Sequence, residues 1–331
     1  LKNYLFSRVP SQQDLDALAR RWHKLVTTVR QEKFPEFLRY HLLCEEPKIR
    51  QQRLFKLVRD RVKTSADVFD LLERLENRAE LFAAISDPDH DYWKDRVGAR
   101  PHIQALKLFA VRQHTPALFA AWEKFSGNEF ERLLRLIENF AFRYTVIGGL
   151  NPNDLETAYH LVAKGILSGD FLTATQAFQP LEHLNPTDDK FERDFAEAAL
   201  KTGGARQKVV RYVLFKLESK LSGVSRDWTA DPGTIEHVLP ENPSEVWSAL
   251  VPEDKQAAYT YRLGNLAILE RRRNRDAANK GFDEKRAIYA GSEYQTTRAI
   301  DEFSPEEWTA AAIEARQSKM AEHAVMIWRN N

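Results

Sequence analysis

The sequence predicts a mainly α chain with one small interruption, and three observations carry that prediction. Apolar residues recur at intervals of three and four up to about residue 221. Short Pro-, Gly-, Asn- and Asp-rich breaks separate these stretches. Then, past "SGVSRDWTADPG", the order becomes strand, long loop, strand, helix. "DLDALARRWHKLVTTV" sets Leu15, Leu18, Trp22, Leu25 and Val29 on one helical face. "ADVFDLLERLENRAELFAAI", "PHIQALKLFAV", "NEFERLLRLIENFAFRYTVI" and "QKVVRYVLFKLESKL" follow the same pattern, giving nine or ten helices and no strand before residue 222. Thr115-Pro116 and Asn151-Pro152 read as helix starts with proline in the first helical position. Helix-pair lengths vary too much for a regular solenoid. "TIEHVL" and "NLAIL" read as strands, separated by about two dozen residues that include Trp247. A helix over "SPEEWTAAAIEARQSKMAEHAVMIW" closes the chain, with Trp308, Ala312, Ile313, Met320, Ala324 and Trp328 as a core-packing stripe. The division expected is a helical scaffold over 1–222 and a second domain over 223–331, with its motif core at 234–286.

Composition excludes several classes. With 331 residues, 43% of them hydrophobic, the chain can bury a large core. Lys plus Arg number 49 against 48 Asp plus Glu, so any nucleic-acid surface must be local. The single cysteine, Cys44, excludes an internal disulfide and a cysteine-rich zinc site and fits a reducing cytoplasm. No apolar run has transmembrane length, so no membrane partner is expected. There is no Gly-x-x-x-x-Gly-Lys-Ser/Thr loop. The chain opens at "LKNYLFSRVP" without a methionine, which reads like the middle of a longer protein.

The chemistry concentrates in "TIEHVLPENPSEVW", where Glu236 and His237 stand side by side ahead of Pro240. Hydrolysis of a phosphodiester needs a water deprotonated beside the phosphorus and a cation to absorb charge. A hard divalent cation takes oxygen ligands, leaving a histidine free to act as base. Neighbours at a strand end point opposite ways, so Glu236 can face a metal and His237 the attacking water. In "YRLGNLAILERRRNRDAANKGFDEK", Asn265 opens the second strand and Asn274 follows nine residues later, at the entry to a helix. A short strand and a sharp turn would return Asn274 to the first strand, where its amide oxygen completes the metal site. Asn265 would bond the His237 backbone or ring.

The combination "EHVLP", "LGNL" and a following Asn resembles the HNH, or His-Me finger, nuclease motif of the ββα-metal fold. More closely it resembles the C-terminal nuclease region of GmrSD-type, modification-dependent restriction enzymes, and Asn279, Phe282 and Lys285 in "NKGFDEKR" fit that likeness. The motif covers roughly residues 225 to 290. The resemblance implies a mainly α protein with a C-terminal ββα-metal element and flanking helices. It implies His237 as general base, Glu236 and Asn274 as ligands of Mg²⁺ or Mn²⁺, and Asn265 as the residue orienting His237. It implies an N-terminal, NTPase-like sensor domain outside this chain, and double-stranded DNA, recognised through a modification, as substrate in defence against phage. One such site cuts one strand, so a double-strand break requires a homo-dimer or two encounters. Two positions depart from the usual motif: Glu236 stands where many HNH nucleases have Asp, and Asn274 where the name has His.

From Lys255 to Arg286 there are nine Lys or Arg against four acids. Arg271, Arg272, Arg273, Arg275, Asn279, Lys280 and Lys285 are the candidate DNA contacts, with Lys285 at or beside the scissile phosphate. The three consecutive arginines cannot all face one way. A second basic stripe, Arg50, Arg53, Lys56, Arg59 and Lys63, is expected on one amphipathic helix, either tracking DNA or as an ordinary exposed face. "SDPDHDYW" gathers Asp87, Asp89 and Asp91 but lacks a turn glycine and terminal Glu, so a capped loop is expected there. The remaining histidines are dispersed. Two other readings fit the same residues: a non-catalytic helical adaptor or DNA-binding module with a structural ββα element, and an HNH nuclease acting on RNA.

Overall fold

The computed structural model describes residues 1–304 and 306–330. It is mainly α with one two-stranded sheet, as the periodicity predicts. The described residues form two compact units, one of 1–141 with 150–185, the other of 142–149 with 186–330. The change of texture at residue 223 therefore does not mark the unit boundary. The helices Asp188–Glu197 and Ala205–Ser222 belong with the sheet. No helix is long and apolar enough to cross a membrane among the described residues.

The first unit is helical throughout. Gln12–Val29 buries Leu18, Trp22, Leu25 and Val29 of the stripe read from the sequence, leaves Leu15 half-buried, and packs on Ser65–Ile85. Ser65–Ile85 starts at a capping box: the Thr64 hydroxyl accepts from the Asp67 amide, and the Asp67 carboxylate accepts in return from the Thr64 amide. Phe37 touches Phe82 and Phe119 at ring distances of 5.1 and 6.0 Å, joining three helices. Thr115 and Pro116 open the helix Thr115–Lys124 as expected. The expected five-cation helix is shorter than its pattern: Leu54–Arg61 is α-helical, Gln51–Arg53 is a 3₁₀ turn, and Val62 is already extended. Arg50 and Lys63 thus lie outside the helix and the stripe does not form one face. In the "SDPDHDYW" loop, Asp89 pairs with Arg100 and Asp91 with Lys94, a capped loop.

The second unit has the expected inserted pattern. Strand β1 (Thr234–His237) pairs antiparallel with β2 (Leu266–Leu269), with His237 opposite Leu266 and Glu236 opposite Ala267. Both strands are shorter than "TIEHVL" and "NLAIL" suggest: β1 stops at His237, and β2 begins only after the 3₁₀ turn Leu263–Asn265. The connection between them is not a bare loop; it carries the helices Glu245–Ser248 and Glu253–Thr260. The helix Arg271–Ala277 follows β2 directly, and Phe282–Ala290 comes next. Leu239, Trp247, Val251, Leu269, Phe282, Trp308 and Ile313 share one core behind the sheet. Trp308 stacks on Phe282 at 5.4 Å. The last helix runs Ala310–Ile327, not from Ser304; Pro305 in that expected helix lies outside the described residues. Trp328 beyond it is buried, stacked on Phe142 at 4.1 Å, and its indole N–H donates to Tyr212.

Two histidines in the first unit tie its stability to pH. His114 is buried with neither ring nitrogen hydrogen-bonded, and burial pushes its pKa down to about 4; burial and Arg78 push His41 in the same direction. A folded value below the unfolded one means that unfolding takes up a proton. The contribution is then complete above about pH 6.5 and is lost as pH falls toward 4. For His114 this predicts a loss of about 2 kcal/mol between pH 7.5 and pH 5. Urea unfolding of the full chain at both pH values should show His114→Phe removing that share of the loss; parallel losses in both proteins would refute the assignment.

Candidate functional site

Formation of the site begins with the loop that delivers β1. Asp231 accepts from Tyr294 Oη at 2.6 Å, from the Gly233 amide and from Arg226. Arg211 closes on the carbonyls of Trp228, Asp231 and Gly233. Gly233 is held close: a Cβ there would lie 2.4 Å from Tyr294 Oη and 2.6 Å from Ile268, so no larger residue fits. These contacts fix where Thr234 enters the sheet, and hence which face each residue of β1 presents.

Glu236 and His237 then diverge, as adjacent strand residues must. The Glu236 side chain turns inward. Its Oε1 accepts from Lys285 Nζ at 2.7 Å and from Tyr289 Oη at 2.7 Å, and Lys285 also donates to the His237 carbonyl at 2.8 Å. Burial raises the Glu236 pKa against the opposing pull of Lys285, and lowers that of Lys285 against the pull of Glu236. Each residue's charge offsets much of the other's desolvation. Tyr289, buried and beside a carboxylate, is held well above the usual phenol range and remains a donor.

His237 turns the other way. Its Nε2 lies 3.1 Å from Thr202 Oγ1 and 3.7 Å from Glu241 Oε1, and its ring meets the edge of Tyr261 at 5.9 Å. Its side chain is 15% exposed, and burial lowers its pKa while Glu241 works to raise it.

Asn274, in the first helical turns after β2, returns to β1 as the spacing predicts. Its Nδ2 donates to Thr234 Oγ1 at 3.0 Å and to the Ile235 carbonyl at 2.9 Å. With the amide nitrogen committed, only Oδ1 remains, an oxygen fixed in place with no hydrogen bond among the described residues. Glu236, His237 and Asn274 all line one open cleft of about 470 Å³, together with Thr202, Gln207, Glu241 and Asn279.

The cleft suits a hard cation better than a soft one. The Lys285 and Tyr289 hydrogen bonds to Glu236 fall on Oε1, its carboxylate also accepts from the His237 amide, and Asn274 offers Oδ1, so the donors are a carboxylate and an amide oxygen. Among the described residues no group of three or more His, Cys, Asp or Glu could enclose a metal. Two protein oxygens, with the remaining positions left to water and phosphate, is the arrangement magnesium-type ions accept.

Asn265 stands elsewhere than expected. It is fully buried and bonds neither the ring nor the backbone of His237. Its Oδ1 accepts from the Leu239 amide at 2.7 Å and from Trp308 Nε1 at 3.0 Å; its Nδ2 donates to the carbonyls of Leu239 and Thr260. Its own carbonyl accepts from Val238. Asn265 therefore clamps the "VLP" segment just past His237, with all four amide hydrogen-bonding capacities used. Gly264 before it is required by close approach, since a Cβ would sit 2.2 Å from the Ile313 carbonyl. Arg316, buried and pushed down to about 10, donates to the Gly264 and Leu266 carbonyls.

The basic residues separate by exposure. Lys285 is not available to nucleic acid: it is 0% exposed and neutralises Glu236, which corrects its expected place at the phosphate. Arg273 is half-buried, paired with Glu270 and bonded to the Ile288 carbonyl. Arg271, Arg272, Arg275, Asn279 and Lys280 are exposed. Lys280 lies 3.7 Å from Glu284 and precedes the helix that holds Lys285. No sequence motif marks Thr202, Glu241 or Tyr289. Thr202 sits in "KTGGAR", which as a sequence signals only a helix start.

Residues 185–323 match the family model of GmrSD restriction endonucleases, C-terminal domain. The match covers most of the second unit and agrees with the resemblance carried by "EHVLP", "LGNL" and Asn274. It supports a restriction-endonuclease type of function for that region. No curated protein matches the chain.

The Glu236–Lys285 pair yields a test of the packing. Lys285→Met should destabilise the chain by about 3–5 kcal/mol, because a buried carboxylate is left unpaired. Glu236→Gln combined with Lys285→Met should recover at least half of that in urea unfolding. Additive losses in the double variant would show that the two residues do not act as a pair.

Proposed function

We propose that the second unit is an HNH-type endonuclease that hydrolyses phosphodiester bonds of double-stranded DNA with Mg²⁺ or Mn²⁺. The observation that carries this is convergence: a two-stranded sheet and the helix after it bring a carboxylate, an imidazole and an amide oxygen to one open cleft. The family match over residues 185–323 supports the same reading.

In this reading His237 takes the proton from the attacking water. Its lowered pKa, caused first by burial, keeps the ring unprotonated near neutral pH, with a lone pair free to accept a proton. Glu236 and Asn274 supply the oxygens that hold the cation. When bound, the cation supplies positive charge to the phosphate and the leaving oxygen. Arg271, Arg272 and Arg275, exposed on the helix that carries Asn274, contact flanking phosphates and set position, not sequence. Products carry 5′-phosphate and 3′-hydroxyl ends. A single site nicks; a double-strand break takes a homo-dimer or two encounters. The biological role is restriction of phage DNA, with the modification read by an N-terminal sensor domain outside this chain.

Supercoiled plasmid incubated with the chain and Mg²⁺ or Mn²⁺ should be converted to open circles, and EDTA should stop the conversion. His237→Ala should lower the rate by a factor of about 10²–10⁴, the usual contribution of a general base. An unchanged rate in His237→Ala would remove His237 from the chemistry. Absence of cleavage by this chain and by any longer form containing it would favour the structural-module reading.

A further inference from the structure

Nothing in the motif accounts for Thr202 and Glu241, yet both reach His237. Thr202 lies in the turn before the helix Ala205–Ser222, and Glu241 follows Pro240 just past β1. Thr202 Oγ1 stands 3.1 Å from His237 Nε2 and 3.2 Å from Glu241 Oε1, and Glu241 Oε1 lies 3.7 Å from Nε2. The three groups form a closed triangle at the rim of the cleft.

The protons in that triangle can be counted. An ionised carboxylate only accepts, and a threonine hydroxyl has one proton to give. If that proton went to Nε2, the hydroxyl oxygen would face Glu241 Oε1 at 3.2 Å with no hydrogen between them. If it goes to Glu241, Nε2 must itself carry a hydrogen and donate it to Oγ1. The second arrangement satisfies every group and leaves the lone pair on Nδ1, which has no hydrogen bond among the described residues. The other charged group near the ring is Lys285, whose ammonium is committed to Glu236 and to the His237 carbonyl. Tyr261 meets the ring through its edge, and its hydroxyl donates to the Glu241 carboxylate, which has further lone pairs to accept the Thr202 proton.

We infer that Thr202 and Glu241 are positioning residues that fix His237 as the Nε2–H tautomer, presenting Nδ1 as the base. This rests on the nuclease reading above and deepens it. As water gives its proton to Nδ1, the ring becomes an imidazolium. Its Nε2–H then already points into a hydroxyl backed by a carboxylate, so the new charge meets a negative partner without rearrangement. No proton passes to Glu241; it orients and stabilises.

Two readouts test this, one independent of cleavage. In protein carrying ¹⁵N-labelled histidine, with His237→Ala for assignment, the His237 signals should be those of a single Nε2–H tautomer; an Nδ1–H tautomer would overturn the inference. In plasmid cleavage, Thr202→Val and Glu241→Gln should each lower kcat roughly tenfold or more at unchanged KM. Thr202→Ser should restore most of the rate, because it keeps the hydroxyl. Wild-type kcat in Thr202→Val, with His237→Ala inactive, would discard the inference and leave the nuclease reading standing. Full activity in His237→Ala would instead discard the nuclease reading, while the tautomer measurement would still decide the geometry.

Discussion

The ion pair between Glu236 and Lys285 is the constraint around which the C-terminal unit is organised. A carboxylate on a strand packed against a hydrophobic core is costly unless a cation and a hydroxyl meet it. Lys285 and Tyr289 do so from consecutive turns of the helix Phe282–Ala290, which fixes that helix against β1. Because Lys285 also takes the His237 carbonyl, the same ammonium locks the backbone at the residue proposed as base. One buried cation therefore holds both Glu236 and His237 in place.

Asn265, in the turn before β2, and Asn274, on the helix after it, complete the frame. Asn265 clamps the chain immediately beyond His237, and Asn274 bonds it immediately before Glu236, so both sides of the Glu-His pair are held by amide side chains. Gly264 and Arg316 then pin the start of β2 to the last helix. The cleft is in this way built on rigid elements, while its rim at Thr202 and Glu241 is drawn from turns. On the proposed reading, such a frame would keep the acid–base geometry constant and leave substrate recognition to exposed residues such as Arg271, Arg272 and Arg275.

Much of this was legible in the sequence. The 3.6-residue periodicity gave the helices, and the nine-residue spacing of Asn265 and Asn274 placed Asn274 against β1. The remainder depends on long-range contacts. Lys285 looked like a phosphate contact because its neighbours are basic and helical. Burial is decided by Glu236, 49 positions earlier, and no local pattern reports it. Asn265 was expected on His237, but its amide is consumed by Leu239, Thr260 and Trp308, a set that only the fold assembles. Thr202 lies 35 residues before His237 in a turn whose sequence signals nothing beyond a helix start. Composition changes at residue 223, whereas packing groups the two preceding helices with the sheet.

The central claim is that Glu236 and Asn274 present their oxygens to one divalent cation beside His237. Crystals of His237→Ala grown with Mn²⁺, measured at the manganese absorption edge, test it directly. The account predicts one anomalous peak in the cleft within bonding distance of both Glu236 and Asn274. No peak there under conditions that support cleavage by the wild-type chain, or a peak bound by other residues, would contradict it.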